Sequence, residues 1–219
     1  MFKLQQNGIK LIPVTGACAG WCDCMVRTWP VTSIIGENGA FYIDRNADGG
    51  YSYFHALDEP QRQYNWQQLQ QLKKNIHDNF SQARQTADQP FRLNDIAFDI
   101  GQDHQVNRED ALEIAEYCRS SGANAKISSI HINIWQGNYS KSAMTLNWLK
   151  QHEFDNEDTI FIGDSPNDDD MFSNFDTTIG VANIRPLLNE LTTLPTYITS
   201  QFGGHGFAEF TRSLLNVSK

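Results

Sequence analysis

Thr159-Ile160-Phe161-Ile162-Gly163-Asp164-Ser165-Pro166-Asn167-Asp168-Asp169-Asp170 is the stretch whose reading decides the fold. An apolar run closed by Gly and a burst of polar turn residues reads as a buried parallel strand ending at a loop. In open α/β sheets ligands sit beyond the carboxyl ends of the strands, so these carboxylates arrive where chemistry is done. Asp164 and Asp168 are four apart, with Ser165 and Pro166 turning between them and Asn167 able to donate an amide hydrogen bond. Hard oxygen donors at that spacing suit Mg²⁺, which keeps several waters and takes one or two protein carboxylates. The same residues also suit a helix N-terminus, where Asp side chains answer free N–H groups and the dipole. The loop by itself does not choose between the two.

Upstream, a helix is expected from Ser140, and Lys141 falls in its first turn, where the dipole is positive. A Lys placed there is either a solvated surface residue or is met by an anion, for which a phosphate or Asp168 would serve. Downstream, Thr178 to Ala182 reads as a strand, Ile184 to Leu194 as a helix, Tyr197 to Thr199 as a strand, and Gly203-Gly204-His205-Gly206 leads into a last helix. Near the N-terminus, Ile9 to Val14 reads as a strand delivering Thr15-Gly16, although Pro13 is awkward in a central strand. Gly20 to Trp29 reads as a helix, and Ser33 to Gly36 as a strand followed by the turn Glu37-Asn38-Gly39-Ala40. Strand, helix, strand is the signature of a parallel sheet.

The middle of the chain has a different character. Phe41 to Ile43 and Tyr51 to Phe54 read as a hairpin around Asp44-Arg45-Asn46-Ala47-Asp48-Gly49-Gly50. That turn opens like a helix-loop-helix calcium site, but the twelfth position is His55 where a bidentate Glu belongs, which favours the hairpin. Trp66, Leu69, Leu72, Ile76 and Phe80 form a helical packing stripe. Ile96 to Ile100 is a strand, and Asn107 with Asp110 opens a helix that Gly122 closes. Strands follow over Ala125 to Ser128 and Ile130 to Trp135. In the second, Ile130, Ile132 and Ile134 alternate with His131, Asn133 and Trp135, so one face is buried and the other offers polar and aromatic groups. His131 there reads equally as a sheet histidine or a substrate contact.

The totals narrow the function. A net charge of −9 argues against a nucleic-acid backbone or an anionic membrane as partner. It leaves a small phosphorylated substrate open, because a divalent cation reverses the local sign. No apolar run reaches membrane-spanning length and the N-terminus has no signal-peptide core, so a cytoplasmic address is the default expectation. Cys18, Cys22 and Cys24 crowd together, but Cys24 is turned off the helical face shared by the other two, which favours bystander thiols over a zinc site.

Thr15-Gly16 after one strand, Glu37-Asn38-Gly39 after the next, the α+β middle, Lys141 and the Gly163-to-Asp168 loop together resemble the haloacid dehalogenase-like phosphatases. The closer likeness is to the subgroup with a large α/β cap, which includes sucrose-phosphate and mannosylphosphoglycerate phosphatases. The resemblance implies an α/β fold: a Rossmann-like core over residues 1–42 and 138–219 with an inserted α+β cap over 43–137. It implies Mg²⁺ held by Asp164 and Asp168, and phosphate bound by Thr15, Gly16, Lys141 and Asn167. Thr15, Lys141 and Asp168 would then serve catalysis on a small phosphorylated metabolite such as a sugar phosphate. Facing alone nominates Ser129, His131, Asn133 and Trp135 in the cap for substrate contact.

One part of the family pattern is not found. Its nucleophile and general acid lie in an Asp-x-Asp on the first, central strand, whereas no Asp or Glu occurs from Met1 to Cys22. Fifteen residues up to Thr15 are too few for a strand, a crossover and a second strand, so the chain is expected to start inside the first crossover helix. Either the Thr159 strand then pairs with the Ile9 strand or a gap lies between them, and the chain as given should lack turnover. Ala17 also stands where many relatives carry Arg. The rival functions are a non-catalytic binder of a phospholigand or protein, and a phosphomutase-type transferase.

Overall fold

The computed structural model describes residues 1–217. Helix α1 (Phe2–Gln6) leads into an extended segment that runs parallel to β1 (Ser33–Gly36), with Val14 opposite Ile35. The Leu11 and Pro13 carbonyls accept from Thr32 and Ile35, and Thr15 N–H donates to the Ile35 carbonyl. The strand expected over 9–14 is thus reduced to a single bridge. Pro13 supplies the reason, because it faces β1 and has no N–H to give. Helix α2 (Ala19–Thr28) buries Cys22 and Val26 against β1 and β2 (Phe41–Arg45), and β3 (Tyr51–His55) completes an antiparallel sheet β1-β2-β3. The position 42/43, where the sequence places the start of the insert, falls within β2, which pairs with both β1 and β3.

The insert has its own core. Helix α3 (Glu59–Asn79), capped by Asp58, and helix α4 (Arg108–Ser120), capped by Asn107, supply Leu69, Leu72, Ile76, Ala111, Ile114 and Cys118. They pack on one sheet of β4 (Asp95–Asp99), β5 (Asn124–Ile127) and β6 (His131–Trp135), antiparallel in the order β4-β6-β5. Ile132 and Ile134 face this core, which sends His131 and Asn133 to the opposite face.

Helix α5 (Lys141–Gln151) returns the chain to the first unit. After it come β7 (Ile160–Gly163), α6 (Asp169–Asn174), β8 (Thr177–Gly180), β9 (Tyr197–Ile198) and α7 (Gly203–Val217). The strands form a parallel sheet β7-β8-β9. The helix expected from Ile184 to Leu194 is instead a 3₁₀ run over Ala182–Glu190, because Pro186 inside it removes a donor and clashes with a longer α-helical ladder. No described helix is long and apolar enough to cross a membrane.

The sequence leaves open whether β7 pairs with the segment before Thr15, and the two do not pair. The N–H and C=O groups of Ile12 and Val14 make no backbone hydrogen bond among the described residues. Gly163 C=O accepts from Val181 N–H, which turns Ile160 and Ile162 the other way. The two edges face each other across a cavity of about 570 Å³ whose walls include Val14, Phe161 and Ile162. Beneath it, α5 joins the halves: Met144, Trp148 and Leu149 pack with Ile35 and Tyr42 on one side and Phe161, Met171 and Phe172 on the other.

The turn after β1 seats this helix. Glu37, Asn38 and Gly39 all have positive φ, and a Cβ on Gly39 would lie 2.1 Å from the Ser140 carbonyl oxygen, next to Lys141. Gly122 also has positive φ but meets nothing within 4 Å. Gly122→Ala should therefore cost only left-handed strain, about 1–2 kcal/mol, while Gly39→Ala should cost clearly more. Denaturant midpoints of the two variants check this, and equal losses would mean that the turn does not press on α5.

Candidate functional site

Four chain segments converge on the cavity between the sheets. Thr15 to Ala17 follow the extended segment, Lys141 opens α5, and Asp164 to Asp168 follow β7. From the cap come Asp88, Gln102, Ser128, Ser129, Ile130, His131 and Asn133. The structure thus brings Thr15, Gly16, Lys141, Asp164, Asn167, Asp168, Ser129, His131 and Asn133 to one place.

Trp135 does not join them. It is buried, packs on Tyr139 in the cluster that includes Phe41 and Ile43, and does not line the cavity. His131 and Trp135 share a face of β6, but four residues along a strand is about 13 Å, and the cavity is reached only from the His131 end.

Lys141 is 5% exposed, and its ammonium donates to Asp168 Oδ1 at 2.7 Å. Of the two sequence readings for a Lys against the dipole, the structure shows the one with an anion. Asp168 Oδ2 accepts from Asp164 N–H at 3.1 Å and Ser165 N–H at 3.4 Å, and Ser165 with Asp168 forms a capping box. Both helix-capping and Lys-pairing roles therefore fall on Asp168. Asp170 accepts from Ser142 N–H, so two Asp side chains of this loop grip the start of α5. Asp164 is exposed, and its Oδ2 accepts from Asn183 at 2.7 Å. Its other oxygen takes no hydrogen bond among the described residues and is free to meet a cation.

Thr15 Oγ1 accepts from Ala17 N–H at 3.0 Å, which leaves the hydroxyl hydrogen to donate. Asn167 donates to Asn38 Oδ1 at 3.2 Å, while the buried Asn38 amide nitrogen has no partner. His131 meets Gln102 Oε1 at 3.1 Å through Nε2. Burial and the nearby Arg92 guanidinium lower its pKa, against the opposing pull of Asp88, Asp99 and Asp103. Behind the site, Glu37 is fully buried and accepts from the N–H groups of Ala19, Leu93 and Asn94 and from the Asn94 amide. Burial and the adjacent Asp95 push its pKa up to about 7, although these donors pull it down. Arg92 and Asn183 carry much of this geometry and were not singled out from the sequence, and Asn38 was quoted there only as part of the turn after the second strand. The Cys18 and Cys22 thiols are buried and their pKa values raised by burial. Among the described residues no group of three or more His, Cys, Asp or Glu side chains is arranged to hold a metal.

The charged groups lining the cavity are Asp88, Asp164, Asp168 and Lys141. Asp88 is paired with Arg92 and Asp168 with Lys141, which leaves the Asp164 charge uncompensated and makes an anion unwelcome there unless a cation accompanies it. Asp164, an exposed hard oxygen donor on the same cavity as Lys141 and Thr15, is the carboxylate whose chemistry would suit Mg²⁺.

Several solved structures share this architecture. The sucrose-phosphatase from Synechocystis sp. PCC6803, solved with sucrose and phosphate, aligns with a TM-score of 0.69 at 14% identity over 97% of this chain and 88% of its own. A haloacid dehalogenase-like hydrolase from B. subtilis gives 0.66 at 15% over 96% and 90%. A sugar phosphatase of haloacid dehalogenase subclass IIB gives 0.67 at 9% over 97% and 88%. At these identities the likeness shows the fold. No sequence among curated proteins matches. The haloacid dehalogenase-like hydrolase family model, however, matches residues 31–210. With that match spanning most of the chain from β1 into α7, the protein belongs to the haloacid dehalogenase-like hydrolases.

Proposed function

We propose that the cavity binds the phosphoryl group of a small phosphorylated metabolite together with Mg²⁺, as the site of a phosphomonoester hydrolase. A sugar phosphate is the favoured substrate class, supported by the sugar phosphatases among its structural neighbours. The observation that carries the reading is the convergence of Thr15, Lys141 and the Asp164–Asp168 loop on one cavity roofed by polar cap residues. Thr15 O–H would donate to a phosphate oxygen, and Lys141 would share its charge between Asp168 and the phosphate. Gly16, with no side chain, lets the Asn38 and Asn133 amides close on the loop whose backbone would face the ligand. Asp164 would hold Mg²⁺, which would supply charge neutralisation for the phosphoryl group. Above it, Ser129, His131 and Asn133 would meet the rest of the substrate.

These residues bind but do not provide an attacking group. Asp168 is held by Lys141, Asp88 by Arg92, and Asp164 is the metal ligand. No cavity carboxylate is left to attack phosphorus. This favours a second reading, in which the site binds a phospholigand without turning it over.

Calorimetry with inorganic phosphate in MgCl₂ should show binding that is lost when Mg²⁺ is chelated and weakened about tenfold or more in Asp164→Asn, consistent with removing a charged ligand. A sugar phosphate panel should release no phosphate. Mg²⁺-dependent release abolished in Asp164→Asn would show that another group attacks.

The Lys141–Asp168 pair gives a stability test. Lys141→Met or Asp168→Asn alone leaves a buried charge uncompensated and should cost about 3–5 kcal/mol. The double variant should lose much less than the sum of the two. Additive losses in urea denaturation would mean that the pair is not coupled.

A further inference from the structure

Gly16 sits where three parts of the molecule meet. A Cβ there would lie 3.0 Å from Asn38 Oδ1 of the β1 turn and 3.1 Å from Asn133 Oδ1 of the cap. Its carbonyl accepts from Arg92 Nη1 at 3.0 Å and from Asn133 Nδ2 at 3.4 Å. Arg92 is a cap residue whose side chain has no solvent exposure. Its Nε and Nη2 fork onto Asp88, and Nη1 reaches both oxygens of Asp95. Next to it, the backbone N–H groups of Leu93 and Asn94 donate to Glu37, whose Oε1 also takes Ala19 N–H at the start of α2. The loop from Gly16 to Ala19 is therefore tied at both ends to residues 92–94.

The Gly16–Ala17 peptide carries this contact onward. Its C=O is held by Arg92 and its N–H donates to Thr15 Oγ1. A peptide is planar, so fixing one end fixes the other. With its oxygen occupied as an acceptor, the Thr15 hydroxyl keeps its hydrogen for a ligand. We propose that Arg92 is a positioning residue: from the cap, through the Gly16–Ala17 peptide, it aims the Thr15 hydroxyl into the phosphate site. Lys cannot replace it, since an ammonium on a single stem does not span two carboxylates and a carbonyl in one plane. The proposal rests on the phosphate-binding reading above for its consequence and on the geometry alone for its cause.

Amide hydrogen exchange in the free protein tests the cause, and phosphate calorimetry in MgCl₂ tests the consequence. In folded Arg92→Lys the Ala17 N–H should lose its protection, and phosphate affinity should fall about tenfold. Thr15→Val should fall by a similar factor. The double variant should be no weaker than either single one, because both remove the same contact. If Arg92→Lys does not fold, Arg92→Gln combined with Asp95→Asn removes the buried charges together and takes its place. Unchanged Ala17 exchange, or losses that multiply in the double variant, would overturn the proposal. If the unaltered chain binds no phosphate, the functional reading fails, and Ala17 exchange still decides whether Arg92 holds the loop.

Discussion

An ammonium buried at the positive end of a helix is tolerable only with a carboxylate against it, and Asp168 meets Lys141 at 2.7 Å. Much of the core depends on that contact. The sheet carrying Thr15 and the sheet carrying Asp164 share no ladder among the described residues. They are joined by α5, gripped at its start by Asp168 and Asp170, and by the Asn167–Asn38 bond. The Gly39 turn against Ser140 sets how closely the helix approaches. A site residue and a structural staple are thus the same side chain, so losses of binding and of stability at Lys141 must be separated by measuring both.

The sequence made the frame legible where one physical rule dominated. The apolar run at 159–162 with its polar loop, the packing stripe of α3 and the Asn107 cap each follow from a local pattern. Lys141 was informative because its place against the dipole raised an anion as one of two readings, and its burial against Asp168 selects that one. Legibility failed where a partner far along the chain decides. Trp135 alternates correctly with Ile134, yet alternation says nothing about how far along the sheet a cavity extends. Pro13 allowed an extended backbone but not a ladder, and Pro186 turned an expected α-helix into 3₁₀ turns.

Arg92 and Glu37 show the same limit in the site. In sequence, Arg92 is an ordinary charge in a loop, and nothing nearby marks it as fully buried. Asp88 and Asp95 lie close to it on the cap itself, whereas the Gly16 carbonyl joins them only when the cap rests on the core. Glu37 likewise finds its donors at 19, 93 and 94. Neither group can be left unpaired once desolvated: Arg92 has its two carboxylates within the cap, while Glu37 meets the Leu93 and Asn94 donors only in the docked arrangement. That ties the cap segment 92–94 to the loop that carries Thr15.

This coupling bears on how the cavity can open. In many two-part enzymes the cap swings while the core keeps its geometry. Here a swing that carried residues 92–94 away would strip the Gly16 carbonyl of Arg92 and Glu37 of its Leu93 and Asn94 donors, and would expose a guanidinium between two carboxylates. The contacts around His131 and Gln102 impose no such penalty, since they lie wholly within the cap. Motion should therefore be easier at the Ser128–His131 end of the roof than at the Arg92 end. A ligand would enter from the side of the exposed Ser129 and Ile130, with its phosphoryl group meeting a loop already in place and its remainder meeting the part of the cap that can still adjust.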